Sequence, residues 1–359
     1  MQDNIVPGKA EIRRLGRLDG LRGIAACGVA FLYHTQQLFV PGSFNGEPAV
    51  LGWLHVWGWS FVDLFFLISG YIFAHVYLDG KLSTREGLAS FAVARFARLY
   101  PLHLVTLLVC AALFWYAPAN NFFSFFANLF MLQGFLGMDE RGFNGPSWSI
   151  TVEIVCYILF AVAAYSGRRA LWLVTIAAIV LSLCHFAVLG HPDGGWDGEA
   201  IPRALLGFFV GQVLWHMRER IAHVPTLVFV GIMAFGFMLD MGEYSSIPRL
   251  SMLVWPALMI IALRLPLMES RPMIWLGDRS YAIYLVHQPI AWSLTRYTGR
   301  MEGDPAFIIG VHLAYIAVTL LAADIAMRIV EVPARDRIRR VWAARRKRES
   351  ARRSAALER

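Results

Sequence analysis

The chain has 359 residues, of which 57% are hydrophobic and only 16% are charged. Soluble proteins carry about 25% charged residues, so this composition excludes an ordinary soluble enzyme and predicts a polytopic membrane protein. The net charge of +8 raises the question of a nucleic-acid partner. The basic residues lie between apolar runs, however, which is the pattern of membrane topology. We therefore expect a lipid bilayer, and no nucleic acid, as partner.

Apolar runs follow one another along the chain, and most are long enough to cross a bilayer. They predict an all-α fold with about ten transmembrane helices, near residues 19–40, 51–78, 99–117, 147–166, 170–189, 200–216, 224–241, 250–264, 273–294 and 306–329. The first run lacks a small-residue cleavage site and is expected to be an uncleaved span. The segment 122–135 is too short to cross and predicts a re-entrant or interfacial piece.

Basic residues are distributed unequally over the loops. The N-terminus, every second loop and the C-terminal segment hold most of the lysines and arginines, and the positive-inside rule makes these segments cytoplasmic. Both termini are therefore predicted to be cytoplasmic. We expect residues 1–333 to form the membrane domain and residues 334–359 a basic helical tail. The tail is interpreted as a segment lying on the anionic inner leaflet, or as a topology anchor with no other role.

Three ionisable side chains are predicted to share one layer toward the outer face. Helix rise places His34 and Glu153 about 9 Å inside that face, with His287 at a similar depth. Ionisable groups inside a membrane are functional candidates by default. A carboxylate beside an imidazole raises its basicity, which suits a general base acting on a hydroxyl. The alternative is that each side chain simply hydrogen-bonds a neighbouring helix.

A second group of charged residues is predicted at the inner face. Asp19 and Arg22 begin the first span, and Arg95 and Arg98 precede the third. Arg95 and Arg98 are three residues apart and therefore share one helix face. Their guanidinium groups suit a phosphate-rich ligand, and Asp19 is a candidate partner for one of the arginines. The alternative is that these are ordinary positive-inside arginines.

The second span contains an acidic residue and a pair of small residues. Asp63 is predicted to lie in the middle of the membrane, where a carboxylate is a functional candidate. Ser69 and Gly70 form a small pair that allows helices to approach closely. We favour helix packing over a nucleophilic role for Ser69, because nothing in its surroundings predicts a nucleophile elbow.

Six segments occur in a fixed order between Leu18 and about Pro333. They are LDGLRGIAACGVAFLYH, FVDLFFLISGYIF, ARFARLYPLHL, GPSWSITVEIVCYILF, WLGDRSYAIYLVHQPI and VEVPAR. Together they resemble the membrane acyltransferase-3 family, whose members are bacterial enzymes that O-acylate exopolysaccharides, lipopolysaccharide O-antigens, Nod factors and some antibiotics. Some members carry an additional hydrolase-like domain, which this chain is expected to lack.

The resemblance implies a ten-span fold in the bacterial inner membrane, with cytoplasmic acyl-CoA, most simply acetyl-CoA, as co-substrate and no permanently bound cofactor or metal. The expected catalytic residues are His34, Glu153, Arg22 and His287. The expected donor-binding residues are Arg95, Arg98 and Asp19. The expected supporting residues are Asp63, Ser69, Trp148 and Ser149.

One feature departs from the family pattern. Eleven residues separate Arg22 from His34, where the family usually has ten. One residue turns a helix by about 100°. Either a local bulge absorbs the extra residue, or the two side chains do not face the same way as in relatives.

The expected function is O-acylation of a hydroxyl on a cell-envelope or exported glycan. His34 would act as general base or carry the acyl group transiently. The alternative is a transporter or flippase for a glycan or small solute, although the sequence shows no repeat between its halves. Generic candidates for sugar contacts in the outer loops are Trp53, Asp193, Trp196 and Asp197.

Overall fold

The computed structural model describes residues 8–44, 46–192 and 198–357, and every regular element in these ranges is helical. The first seven helices are α1 (Gly8–Cys27), α2 (Ala49–Trp57), α3 (Phe61–Tyr77), α4 (Arg85–Phe114), α5 (Phe122–Leu129), α6 (Trp148–Ser166) and α7 (Arg168–Leu189). The others are α8 (Ala200–Ala222), α9 (Thr226–Met238), α10 (Ile247–Arg249), α11 (Trp255–Arg264), α12 (Arg271–Thr298), α13 (Pro305–Ala326) and α14 (Val332–Leu357). The all-α prediction is confirmed.

Each predicted span coincides with helical structure. In the described part of the chain, six helical stretches are long and apolar enough to cross a membrane. They are Ala49–Tyr77, Arg85–Phe114, Gly145–Ser166, Arg168–Leu189, Ile247–Arg264 and Pro305–Glu349. The count of ten crossings and the orientation of the termini stay predictions.

Helices α4 and α9 are among those that differ in length from the predicted spans. Helix α4 begins at Arg85 rather than near residue 99, because Thr84 caps it by accepting a hydrogen bond from the backbone N–H of Gly87 at 3.0 Å. Arg95 and Arg98 therefore lie well inside α4, although they precede the predicted span. Helix α9 has only 13 residues, about 20 Å of rise, and is shorter than its predicted span.

The segment 122–135 contains one short helix, α5. Its eight residues rise about 12 Å, too little to cross a bilayer. Asn121 and Ser124 form a reciprocal capping box that fixes where the helix begins. The prediction that this segment does not span is consistent with this length.

Glycines bring two pairs of helices into close contact. Helix α3 packs along α8, and α1 packs along α12. A β-carbon on Gly70 would lie 1.7 Å from the carbonyl oxygen of Phe208, and one on Gly277 would lie 2.3 Å from that of Asp19. Gly70 therefore allows α3 and α8 to approach closely.

The first helix changes its winding before His34. Residues Gly28–Tyr33 form a π-helical turn, and His34–Leu38 form a 3₁₀ turn. A π turn contains more residues than an α turn and usually arises as a one-residue insertion, often at a functional site. Of the two explanations for the long spacing between Arg22 and His34, the structure contains the local bulge.

The basic tail continues the last apolar helix. A π turn, Met327–Glu331, joins α13 to α14, so the helix predicted for the tail is present. The tail packs against the start of α4, where Arg346 forms an ion pair with Glu86 at 2.8 Å and Trp342 donates to the Ser90 hydroxyl at 3.3 Å. At Trp342 and Arg346 the tail therefore contacts α4 of the same chain, whereas the only contact predicted from the sequence was with the lipid leaflet.

Candidate active site

His34, which begins the 3₁₀ turn His34–Leu38, faces His287 of α12. The Nδ1 atom of His34 lies 2.8 Å from Nε2 of His287, and the rings stack with centroids 4.9 Å apart. His287 is fully buried, and its Nδ1 lies 3.2 Å from the carbonyl oxygen of Ile283. A carbonyl only accepts, so His287 carries its proton on Nδ1 and its Nε2 accepts from His34.

This arrangement fixes the tautomer of His34. Its Nδ1–H donates to His287, which leaves Nε2 with a free lone pair. Among the described residues, no hydrogen-bond partner is present for that Nε2 atom. An imidazole held by its Nδ1–H with an open Nε2 is the arrangement of a general base.

A cavity of about 700 Å³ lies beside His34. Its volume is in the range of small-molecule sites. Aromatic and amide side chains line much of it, including Tyr33, Gln37, Trp148, Gln288 and Trp292. Gln288 donates to Gln37 at 2.6 Å, which joins the two histidine-bearing segments at the cavity wall.

Arg203 and Asp63 form a buried ion pair next to this cavity. The Nε and Nη2 atoms of Arg203 donate to the two carboxylate oxygens of Asp63 at 3.0 and 2.9 Å. The guanidinium lies 4.5 Å from the ring of Trp59 and 5.3 Å from that of Trp148. Asp63 therefore neutralises an arginine of the cavity wall, and Trp148 packs on that arginine.

The GPSWS segment is fixed to α12 by hydroxyl and amide groups. Ser149 donates to the Tyr284 hydroxyl at 3.0 Å, and Tyr284 donates to the carbonyl of Pro146 at 2.9 Å. Pro289 lacks an N–H, so the carbonyl of Leu285 loses its helical donor. The Asn144 amide donates to that carbonyl at 2.9 Å instead. Ser149 therefore links α6 to α12, and it lines the small cavity that also contains Glu153.

Glu153 has a different partner from the one expected. The sequence suggested Glu153 beside an imidazole, but Ser69 donates to its carboxylate at 2.8 Å. Glu153 lines a separate small cavity of about 40 Å³, together with Arg22 and Tyr281. The prediction that Glu153 and His34 lie together considered only their depth in the membrane. In the structure the two side chains lie on helix faces that line different cavities.

The three residues expected to bind the donor lie near one another but not as a free cluster. Arg98 forms an ion pair with the buried carboxylate of Glu331. Arg95 lies 5.0 Å from the ring of Phe73 and donates to the Tyr77 hydroxyl at 3.3 Å. Within the described residues Asp19 forms no salt bridge within 4 Å, although Arg22 and Arg98 are close enough to interact with its carboxylate electrostatically.

Sequence reasoning missed two charged residues of this region. Arg203 follows the start of the apolar run 200–216, and an intramembrane charge was the available signal. Glu331 lies in the VEVPAR segment, where its acidic side chain next to an apolar span was a similar signal.

Of the generic sugar-contact candidates, Trp53 packs on Trp255 and Phe237, and those at 193–197 lie outside the described residues.

Comparisons with known proteins identify the family. The model of the acyltransferase-3 family, described as an acyltransferase domain, matches residues 15–327. The chain is 26% identical to the acyltransferase MdmB of Streptomyces mycarofaciens, over 89% of this chain and 91% of that protein. It is 24% identical to the O-acetyltransferase OatA of Staphylococcus aureus and 23% identical to a putative O-acetyltransferase, SACOL0978, of the same species.

The staphylococcal matches cover 90% of this chain but 58% of each relative, so the chain spans little more than half of those proteins. No solved structure is significantly similar to this chain. The family match covers most of the chain and includes all of the six motifs except VEVPAR. This chain is an acyltransferase and belongs to the acyltransferase-3 family.

Proposed function

We propose that this protein transfers an acyl group, most simply acetyl, from acyl-CoA to a hydroxyl of a cell-envelope or exported glycan. The observation that carries the proposal is the hydrogen bond from His34 to His287 beside the 700 Å³ cavity. It leaves one imidazole nitrogen available to a substrate hydroxyl. Family membership supports acyl transfer as the chemistry.

His34 acts as the general base of the reaction. Its Nε2 accepts the proton of the acceptor hydroxyl while the hydroxyl oxygen attacks the thioester carbonyl carbon. The C–S bond then breaks, and the imidazolium returns the proton to the leaving sulfur. The products are an ester and free CoA thiol. His287 stabilises the imidazolium because its Nε2 accepts the Nδ1–H of His34 throughout.

The donor binds beside the three arginines Arg22, Arg95 and Arg98. Arg22 is half-buried, and its Nε atom has no hydrogen-bond partner in the described structure. Among the described residues Arg95 also has a buried Nε without a hydrogen-bond partner, and Arg98 forms an ion pair with Glu331 and lies 5.5 Å from the ring of Tyr281. Guanidinium groups bind phosphate oxygens in a fork geometry. We propose that the CoA phosphates bind there and that the pantetheine arm extends toward His34.

The acceptor binds in the large cavity from the opposite side of the membrane. Under the ten-span topology with cytoplasmic termini in a bacterial inner membrane, the loops around Asn120 and Arg141 are external, and both residues line this cavity. Aromatic rings with adjacent amides suit a sugar, which offers both C–H faces and hydroxyls. The staphylococcal relatives are named as O-acetyltransferases, which favours acetyl as the acyl group.

The transporter or flippase alternative has less support. The family match indicates acyl transfer, and so do the names of the relatives. A transport pathway also has no need for an imidazole that is held by its Nδ1–H with Nε2 left open. We therefore favour the enzyme.

The test uses purified protein in lipid with radiolabelled acetyl-CoA and a crude cell-envelope glycan extract. The natural protein is expected to release CoA and to label the glycan, and His34→Ala is expected to do neither. His223→Ala, which changes an exposed histidine, is the matched control. Equal glycan labelling by His34→Ala in folded protein would overturn the proposal. Label retained on the natural protein would assign His34 the acyl-carrier role instead.

A further inference from the structure

The π turn before His34 has side-chain partners on α13. A π turn interrupts the regular i to i−4 ladder, and in a membrane the affected carbonyls are satisfied by neighbouring helices. The Nε2 atom of His312 lies 2.7 Å from the carbonyl oxygen of Phe31. Because a carbonyl only accepts, His312 carries its proton on Nε2. The same N–H lies 3.3 Å from the Thr35 hydroxyl, which follows His34 directly.

Tyr315 lies one turn further along α13 and contacts both histidine-bearing helices. Its hydroxyl lies 3.3 Å from the carbonyl of Ala30 and 3.3 Å from the carbonyl of His287. Its ring meets that of Phe31 edge to face, with centroids 5.9 Å apart. Tyr315 is buried, so its proton is shared between carbonyls of α12 and of the π turn.

We propose that His312 and Tyr315 are positioning residues that lock the π turn and thereby direct the His34 imidazole onto His287. The inference rests on the proposed role of His34. Neither side chain is required to touch substrate. Both bind the backbone within four residues of His34, and Tyr315 also binds the backbone of His287 itself.

The geometry explains why the turn needs such partners. π turns are rare and occur mostly as single-turn bulges inside α-helices, so contacts from neighbouring side chains are needed to keep the bulge from shifting along the helix. Any redistribution rotates the following residues by up to about 100° per position. His34 is the first residue after the turn, so its ring direction depends directly on where the bulge stays.

The first experiment measures the reactivity of His34 without using the acyl-transfer reaction. Diethylpyrocarbonate modifies unprotonated imidazoles, and peptide mass spectrometry reports the rate at His34 relative to the exposed His191 in the same sample. His312→Ala is expected to lower the relative rate several-fold, toward that of His287→Ala. His312→Gln retains an N–H donor and is expected to restore it. Equal rates in His312→Ala and the natural protein would overturn the proposal, as would equal losses in the Ala and Gln variants.

The second experiment measures acetyl-CoA turnover. His312→Ala and Tyr315→Phe are expected to lower kcat about tenfold, since small misplacements of a catalytic group have effects of this order. The KM for acetyl-CoA is expected to stay unchanged, because the arginines lie elsewhere. Tyr297→Phe, at an exposed tyrosine, is the matched control. A rise in KM with constant kcat would overturn the positioning role.

A deletion gives the sharpest comparison. Removing Ala30 takes one residue out of the π turn. The result is expected to be a regular helix that no longer needs the contacts with His312 and Tyr315. In that background His312→Ala is expected to have little effect on kcat or on His34 reactivity. An undiminished effect of His312→Ala in a folded deletion variant would overturn the proposal. If the deletion variant does not fold, the Ala and Gln comparison at His312 decides.

If the natural protein has no turnover while His34 reactivity still depends on His312, the proposed function is wrong and the positioning role of His312 is supported. If turnover depends on His34 but neither readout depends on His312, the positioning role is wrong and the proposed function is supported. The two proposals are therefore separable.

Discussion

His287 accepts a hydrogen bond from His34 at 2.8 Å while its own Nδ1–H is directed at the carbonyl of Ile283. The chain thus contains an ordered series of donors and acceptors that begins in a backbone carbonyl and ends at an open nitrogen. The two histidines are hydrogen-bonded to each other although 253 positions separate them in sequence.

Changing His287 tests this series. His287→Ala removes the acceptor for the His34 Nδ1–H, so the imidazolium formed during transfer loses its stabilising partner. We expect kcat to fall about 100-fold, within the range attributed to general acid–base catalysis. His287→Gln retains an acceptor oxygen and is expected to keep more of the activity. The measurement is CoA release with glycan extract, and full activity of His287→Ala would argue against the series.

The Asp63–Arg203 pair gives a stability prediction. Both side chains are buried, and removing one partner leaves an uncompensated charge that destabilises a protein by about 3–5 kcal/mol. Asp63→Asn and Arg203→Gln are each expected to lower the thermal midpoint of the purified protein strongly. The double variant is expected to lose less than the sum of the two single variants. Additive losses would show that the pair does not interact energetically.

The positions of the helices could be predicted from the sequence because hydrocarbon thickness imposes runs of about 20 apolar residues. The start of α4 could not, since its first turns are polar and are specified by the cap at Thr84. Segment length and charge therefore locate spans, but they do not locate helix ends that extend beyond the apolar run.

The site was predicted in part. The sequence identified His34 and His287 as ionisable groups at one depth, but depth does not say which way a helix face points. Rotation about the axis is set by close packing, such as that of Gly277 on Asp19, and by the π turn. The same ambiguity concealed Arg203, because its partner lies 140 residues away in sequence.

The pairing of Arg98 with Glu331 gives a prediction about donor binding. If Arg98 binds a CoA phosphate, Glu331 competes for the same guanidinium. Glu331→Gln is therefore expected to lower the KM for acetyl-CoA. Arg98→Gln is expected to raise it about tenfold or more, since a charge-assisted hydrogen bond contributes about 1.5–3 kcal/mol.

The control for this pair is Glu302→Gln, which removes an exposed carboxylate elsewhere and is expected to leave KM unchanged. Initial rates of CoA release at varied acetyl-CoA concentration give the values. A KM that is insensitive to Arg98→Gln would show that the donor phosphates bind at other residues.

The contact between α3 and α8 gives a prediction that does not depend on function. Gly70 leaves no room for a β-carbon against the Phe208 carbonyl, whereas a β-carbon on Gly231 in α9 meets nothing within 4 Å. Gly70→Ala forces α3 and α8 apart and is expected to destabilise the protein by about 1–3 kcal/mol or more. Gly231→Ala is the matched control and is expected to be neutral or stabilising, because alanine favours a helix. Thermal unfolding of both variants in the same detergent measures the difference. Equal midpoints for the two variants would mean that α3 and α8 are not in the close contact that positions Asp63 beside Arg203.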